Sequence, residues 1–253
     1  MITIKTEEEI EYMRKAGHMN YMTREYLKTI IAPGITTGEI DRRAEEYIKS
    51  IGGIPGFKGY GGFPGCICIS VNDEIVHGIG SDDRVLKNGD IVSLDVGVIY
   101  HGYHSDAAIT VGVGSINKQK EHLLHHTEAA LRVGIREVKA GAKIGNIGAR
   151  IQSYAEKHGL GVVRELVGHG VGRELHEDPD VPNYGKYDTG ITLKEGMVIA
   201  IEPMLTSGSR EIRELSDGWT IVTKDGLPSA HFEHTVLVTK DGYEILTGEK
   251  IYG

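Results

Sequence analysis

Cysteine is almost missing from this chain of 253 residues, with only Cys66 and Cys68 present. Residues two apart are poorly placed to bridge each other, so a disulfide framework and a thiolate zinc finger are both excluded. Two thiols left free fit a reducing compartment. Long hydrophobic runs are lacking too: no stretch approaches the roughly 18 apolar residues of a membrane helix. The opening Met1-Ile2-Thr3-Ile4-Lys5 turns acidic at once through Glu7, Glu8 and Glu9, unlike a signal peptide. A cytoplasmic protein without a membrane partner is therefore expected. Positive charge is in deficit as well. Lys and Arg number 28 against 36 acids, a formal charge of −8, which leaves no global footprint for nucleic acid. No Gly-x-Ser-x-Gly elbow occurs, so a serine hydrolase of that kind is set aside. Proline is sparse, at 7 residues, whereas glycine is abundant, at 35. Without a collagen period, those glycines mark tight turns and close backbone approaches.

What the chain does have is self-similarity at a fixed offset of 107 residues. Gly34, Gly38, Ile40, Arg43, Tyr47 and Gly52 fall on Gly141, Gly145, Ile147, Arg150, Tyr154 and Gly159. Leu86-Lys87-x-Gly89 falls on Leu193-Lys194-x-Gly196, and the spacing needs no gap from 34 to 95. A duplicated unit of this size, present only twice, is not a solenoid. Each unit opens with helices. Thr6 and Glu9 form a capping box ahead of Ile10, Met13 and Ala16. Ile40, Ala44, Tyr47, Ile48 and Ile51 make a stripe at helical spacing, repeated by Ile147, Ile151, Tyr154 and Ala155. Leu123, Leu124, Ala130, Leu131, Ile135 and Val138 predict the opening helix of the second unit. Strand-like runs cover 66–71, 91–99, 103–113, 162–167, 197–202, 219–223 and 231–239. Helices followed by strands, twice over, argue an α+β fold with antiparallel sheet.

In the run 91–99, Val92, Leu94, Val96 and Val98 share one face, and Ser93, Asp95 and Gly97 share the other. A two-residue turn at His101-Gly102 puts Asp95 opposite Ala108 and Gly97 opposite Asp106. The two acids are then diagonal neighbours, roughly 7–8 Å apart at the backbone. A four-residue turn keeps them on one face, and an odd-length turn separates them. Facing acids either lie on a solvated edge or share a cation. The second unit favours the cation. Asp95 maps to Glu202 at the end of another apolar strand. His104-Ser105-Asp106 resembles His231-Phe232-Glu233 after an insertion of about twenty residues. A pseudo-twofold axis would gather all four carboxylates, and buried unpaired carboxylates imply metal. His169, flanked by Gly168 and Gly170, adds a nitrogen donor open to a ligand. This hard donor set suits Mn, Fe, Co or Zn better than Cu, and four negative charges balance two divalent ions.

These five residues, in this order and spacing, resemble the type I methionine aminopeptidases of the pita-bread fold. Ser70-Val71-Asn72-Asp73-Glu74-Ile75-Val76-His77-Gly78, Ser93-Leu94-Asp95-Val96-Gly97, Gly168-His169-Gly170-Val171-Gly172 and Ile201-Glu202-Pro203 carry the likeness over essentially the whole chain. With no long insertion between His169 and Glu202 and no zinc-binding N-terminal extension, the chain resembles the minimal bacterial or organellar form. The resemblance implies a single catalytic domain, 1–253, of two pseudo-twofold-related halves, about 1–113 and 114–253, around a central metal site. It implies two divalent ions: Asp95 chelates one, Asp106 and Glu233 span both, and His169 and Glu202 complete one shell. It further implies removal of the initiator methionine from nascent chains with a small second residue, through a metal-bridging hydroxide, with Glu202 as proton shuttle. His77 would meet the scissile amide or the substrate amine, and His176 would steady the tetrahedral intermediate. Tyr60, Phe63, Cys68 and Trp219 match the methionine pocket. Phe63 and Leu175 depart from the aromatics usual at their positions. A monomer in transient contact with the ribosome is expected. The competing readings are an X-Pro aminopeptidase or prolidase, and a non-catalytic pita-bread module that binds protein or RNA.

Overall fold

The computed structural model describes residues 2–249. Met1 and residues 250–253, which the two expected halves include, lie outside the described residues. In chain order the first elements are α1 (Glu7–Ile30), α2 (Thr37–Ser50), β1 (Ile54–Pro55), β2 (Cys68–Val71), β3 (Glu74–Val76), β4 (Ile91–Tyr100) and β5 (Tyr103–Gly112). There follow α3 (Lys118–Ile135), α4 (Ile144–Lys157), β6 (Gly161–Val162), β7 (Gly168–Gly170), β8 (Glu177–Val181) and β9 (Val198–Ile201). The last are β10 (Met204–Thr206), β11 (Ile212–Glu214), β12 (Ile221–Thr223), β13 (Ser229–His231), β14 (His234–Val238) and β15 (Tyr243–Ile245).

Helix α1 starts at the capping box expected at Thr6, with Thr6 and Glu9 satisfying each other's backbone N–H groups. It lies across the β4–β5 hairpin. Asn20 donates to the carbonyl of Val96, and Ser105 donates to that of Ala16. In that hairpin His101 and Gly102 both take positive φ, 49° and 80°, the conformation of a two-residue turn matched to strand twist. The register follows: Asp95 faces Ala108 and Gly97 faces Asp106.

Two cores form on parallel plans. Ile40, Ala44 and Ile48 of α2 pack on Val92, Leu94, Val96 and Val98 of β4. Ile147, Ile151 and Ala155 of α4 pack on Ile199 and Ile201 of β9. The offset of 107 reaches the individual hydrogen bonds. Gly34 N–H donates to Leu86 and Gly141 N–H to Leu193, while Gly53 donates to Ile48 and Leu160 to Ala155. The isolated bridge Thr36–Val85 recurs as Lys143–Thr192. Strands β4 and β9 sit centrally in their sheets. β5 and β2 flank β4, and the second sheet runs β15-β14-β9-β7-β8. The sheets meet where β5 passes β14: Asp106 N–H donates to the Thr235 hydroxyl at 3.0 Å, and Glu233 N–H to the Ala108 carbonyl at 3.0 Å. Two small sheets, β13-β10-β6 and β11-β12-β3, complete the antiparallel fold.

Several expected boundaries move, each for a local reason. The run 66–71 becomes a strand only from Cys68, because the N–H groups of Cys66 and Ile67 are taken by Asp41. The run 219–223 starts at Ile221, because the Asp217 carboxylate accepts from the N–H groups of Trp219 and Thr220. The run 231–239 breaks at Phe232-Glu233, where the Glu233 N–H turns to Ala108 instead of to its own sheet. Val138 lies past the end of α3. The run 162–167 is replaced by β6 and by β7, which carries His169 itself. The offset also needs a gap after all. Val71 faces Val92, but Gly170 faces Ile199, so across this strand the halves are 99 residues apart rather than 107. The intervening turns absorb the difference.

Candidate metal centre

Asp95 and Asp106 reach the site from adjacent strands of the first sheet, and Glu202 and Glu233 from the second. Asp106 and Glu233 are almost wholly buried, and Glu202 keeps only 13% of its side-chain surface. Burial pushes all four carboxyls up: Asp106 to about 7, and Asp95, Glu202 and Glu233 well above the usual range, with their mutual repulsion adding to three of them. The fully buried Arg24, close to Asp95 and Glu233, acts weakly the other way. Asp95 Oδ1, Asp106 Oδ1 and Glu233 Oε1 are buried and have no hydrogen-bond partner among the described residues. Acceptors so arranged need a cation.

His169 supplies the nitrogen. Its Nδ1 lies 2.9 Å from its neighbour's carbonyl, Gly170 O, so the proton belongs there and the lone pair of Nε2 is free. Nε2 stands 3.5 Å from both Asp106 Oδ2 and Glu202 Oε1. Burial lowers the pKa of His169, which keeps it neutral as a ligand must be. The flanking glycines leave the largely buried imidazole open to the cavity, as the sequence leads one to expect. They let β7 close onto its neighbours: a Cβ on Gly168 would lie 2.2 Å from Ala200 O, and one on Gly170 would lie 2.3 Å from Asp178 O. Asp106, His169 and Glu233 offer ligand atoms within 4.8 Å of one another. The donors are hard and oxygen-rich, and they fit a divalent ion.

The four acids and His169 line one cavity of about 240 Å³, together with His77, His176, Tyr60, Phe63, Cys68 and Trp219. His77 holds a positive φ of 60°, uncommon for a residue with a side chain. Its buried ring hydrogen-bonds to the Trp219 backbone. The His176 ring lies 4.1 Å from that of His169, and its Nδ1 is 2.8 Å from the Tyr60 hydroxyl. Burial and two neighbouring imidazoles press its pKa to about 4, so it is a neutral donor or acceptor at pH 7. Cys68 sits directly across the strand pair from Asp95, and burial raises its thiol far enough to keep it protonated. Phe63 meets Trp219 edge to face at 5.2 Å. Phe57 and Leu175 pack with them into an apolar wall. Phe57, whose ring covers Gly97, carried no sequence signal.

One polar residue was missed. His231 is 1% exposed, and its Nε2 lies 3.6 Å from Glu233 Oε2 and 3.7 Å from Glu202 Oε2. Its signal was the i, i+2 spacing to Glu233, which places both on one side of an extended segment.

Buried acids gathered at the meeting edge of two antiparallel sheets, beside a neutral imidazole and an apolar recess, define a metal-dependent hydrolase. The chain belongs to metallopeptidase family M24, which it matches over residues 11–240. It is 52% identical to methionine aminopeptidase 1 of Bacillus subtilis (strain 168) over 247 residues, 98% of this chain and 99% of that one. The crystal structure of the methionine aminopeptidase from Thermotoga maritima superimposes with a TM-score of 0.97 at 46% identity, covering 98% and 100% of the two chains. The prolidase from Pyrococcus furiosus is similar at a TM-score of 0.78 and 27% identity, but this chain covers only 66% of it. The fold is thus the pita-bread fold of family M24, and as a metallopeptidase the protein works with divalent metal. Among the described residues no helix is long and apolar enough to cross a membrane.

Proposed function

We propose that this protein removes the N-terminal methionine from nascent proteins and peptides whose second residue is small. The observation that carries the reading is the joining, in one cavity, of five metal-ligand candidates with a small sulfur- and aromatic-lined recess. Likeness to methionine aminopeptidases over nearly the full length of both chains supports it. Partial coverage of the prolidase makes the X-Pro reading the weaker one.

In this reading Asp95, Asp106, His169, Glu202 and Glu233 hold two divalent ions (Co, Mn, Fe or Zn). Such ions would supply water activation at neutral pH and stabilisation of charge developing on the scissile carbonyl. Glu202 takes the proton released by the water and passes it to the leaving amine. His176, held by Tyr60, donates to the carbonyl oxygen as it becomes tetrahedral. His77 orients the substrate amide. Phe63, Cys68 and Trp219 receive the methionine side chain, whose soft thioether suits aromatic edges. The two halves, 1–113 and 114–253, act as a single catalytic domain, a cytoplasmic monomer in transient contact with the ribosome.

The test is metal add-back. Stripped protein is given Mn, Fe, Co or Zn separately and assayed on a Met-Gly peptide beside an Ala-Pro peptide. Metal-dependent methionine release, lost in Asp106→Ala, is expected. Cleavage of the X-Pro peptide alone overturns the substrate assignment, and cleavage of neither with no metal bound overturns the enzyme reading.

A further inference from the structure

His231 lies just behind the metal centre. Both of its ring nitrogens are buried and lack a hydrogen-bond partner among the described residues. A buried imidazole with neither nitrogen satisfied is costly, and such groups call for an explanation. Its Nε2 is aimed at two carboxylates, 3.6 Å from Glu233 Oε2 and 3.7 Å from Glu202 Oε2, just beyond hydrogen-bond reach. Its backbone is fixed from two sides. His231 N–H donates to the Thr110 hydroxyl at 2.8 Å, the same hydroxyl donates to the His231 carbonyl at 2.9 Å, and Met204 pairs with it across the strands.

The geometry separates two possible duties. Glu202 presents its oxygens to different histidines: Oε1 lies 3.5 Å from His169 Nε2, and Oε2 lies nearest His231. His169, Glu202 and Glu233 all line the cavity, whereas His231 does not. Glu202, His231 and Glu233 also offer atoms within 4.8 Å of one another, but an ion seated in the cavity is met by the two glutamates, which line it, and not by His231, which does not. A ligand must face the ion, but a hydrogen-bond donor to the far oxygens of ligating carboxylates stands where His231 stands.

Resting on the reading of Glu202 and Glu233 as metal ligands, we propose that His231 is a positioning residue whose Nε2–H donates to their outer oxygens and fixes how both carboxylates present themselves to metal. When the site is loaded, the gap of a few tenths of an ångström closes and the donor is shared between the glutamates. A single imidazole thus sets the orientation of one ligand from β14's lead-in and one from the end of β9.

The experiment titrates metal-stripped wild type, His231→Leu, His231→Gln and Asp106→Ala with Co²⁺, reading calorimetric affinity and the visible absorption of the bound ion. Wild-type binding that is lost in Asp106→Ala secures the underlying reading; no Co²⁺ binding by wild type sinks that reading itself. Loss of an outer hydrogen bond weakens metal binding by about 10- to 100-fold. This is the loss expected of His231→Leu, with an altered Co²⁺ spectrum. His231→Gln keeps an N–H donor and should recover most of the affinity and the wild-type spectrum. Wild-type affinity and spectrum in His231→Leu overturn the proposal. So does failure of His231→Gln to improve on His231→Leu, which would mark a direct ligand. A third measurement needs no variant: ¹⁵N NMR of the Zn²⁺-loaded wild type should find Nε2 of His231 protonated, and an unprotonated Nε2 overturns the assignment even if His231→Leu does not fold.

Discussion

Metal binding should expel protons from this site, and the size of the effect follows from where the acids sit. In the metal-free protein Asp106 is raised to about 7, while Asp95, Glu202 and Glu233 are raised well above the ordinary range. The histidines shift the other way. His176 falls to about 4 and His231 to about 3, and His169 is lowered too, so none has a proton to give up near neutrality. A divalent ion requires the acids ionised. Below pH 7 it must displace the Asp106 proton, so that group's contribution to the apparent affinity rises with pH and levels off above 7. For that one group, with a midpoint of about 7, affinity should tighten roughly 50-fold between pH 5 and pH 7, about 2.3 kcal/mol. Carboxyls with ordinary values near 4 would give almost no change over the same interval. Calorimetric titration of stripped protein with Co²⁺, in buffers of different ionisation enthalpy, counts the protons directly. At least one should be released at pH 6, and Asp106→Asn should lower the count. An affinity flat from pH 5 to 7, with no dependence on buffer, would refute the reasoning.

Three further outcomes are expected. Gly168→Ala puts a Cβ 2.2 Å from the Ala200 carbonyl, on backbone that cannot give way easily; it should cost about 1–3 kcal/mol, seen as a lower Tm, and loosen metal by displacing His169. Leu94→Ala hollows the core beneath Asp95, where Leu94 is fully buried, and should lose about 2–5 kcal/mol in urea unfolding. Trp219→Ala removes the edge-to-face partner of Phe63; about 0.5–1.5 kcal/mol of pocket interaction should vanish, a roughly two- to tenfold fall in kcat/KM for methionyl peptides with the metal content unchanged.

The placing of Asp95 diagonally beside Asp106 could be read from the sequence because both of its determinants are local. Alternation along 91–99 picks the face, and His101-Gly102 sets the register. The helices α1, α2 and α4 were legible for the same reason, from caps and apolar spacing. Strand β7 was not, because Gly-His-Gly has no alternation to display; what makes it a strand is the absence of side chains toward Ala200 and Asp178, a fact about its neighbours. Cys66 reads as strand but is held outside it by the distant Asp41. His231 shares its sequence context with His104, yet the two end in different surroundings, His104 near Glu174 and Glu177 and His231 behind the acids. Only the three-dimensional fold separates them.

The small sheet β11-β12-β3 divides the labour within the molecule in an unexpected way. The four acids come from corresponding places in two halves built on one plan, at β4–β5 and at β9 and the lead-in to β14. The sheet has no counterpart at that offset: β11 and β12 belong to the stretch between Glu202 and Glu233 that the first half lacks, and they reach across to pair with β3 of the other half. Trp219, the turn that carries it and its link to His77 all arrive with that extra segment. One wall of the cavity, at Trp219, is thus supplied by the asymmetric segment. Change confined to residues 207–228 should therefore reshape that wall while leaving Asp95, Asp106, His169, Glu202 and Glu233 in place.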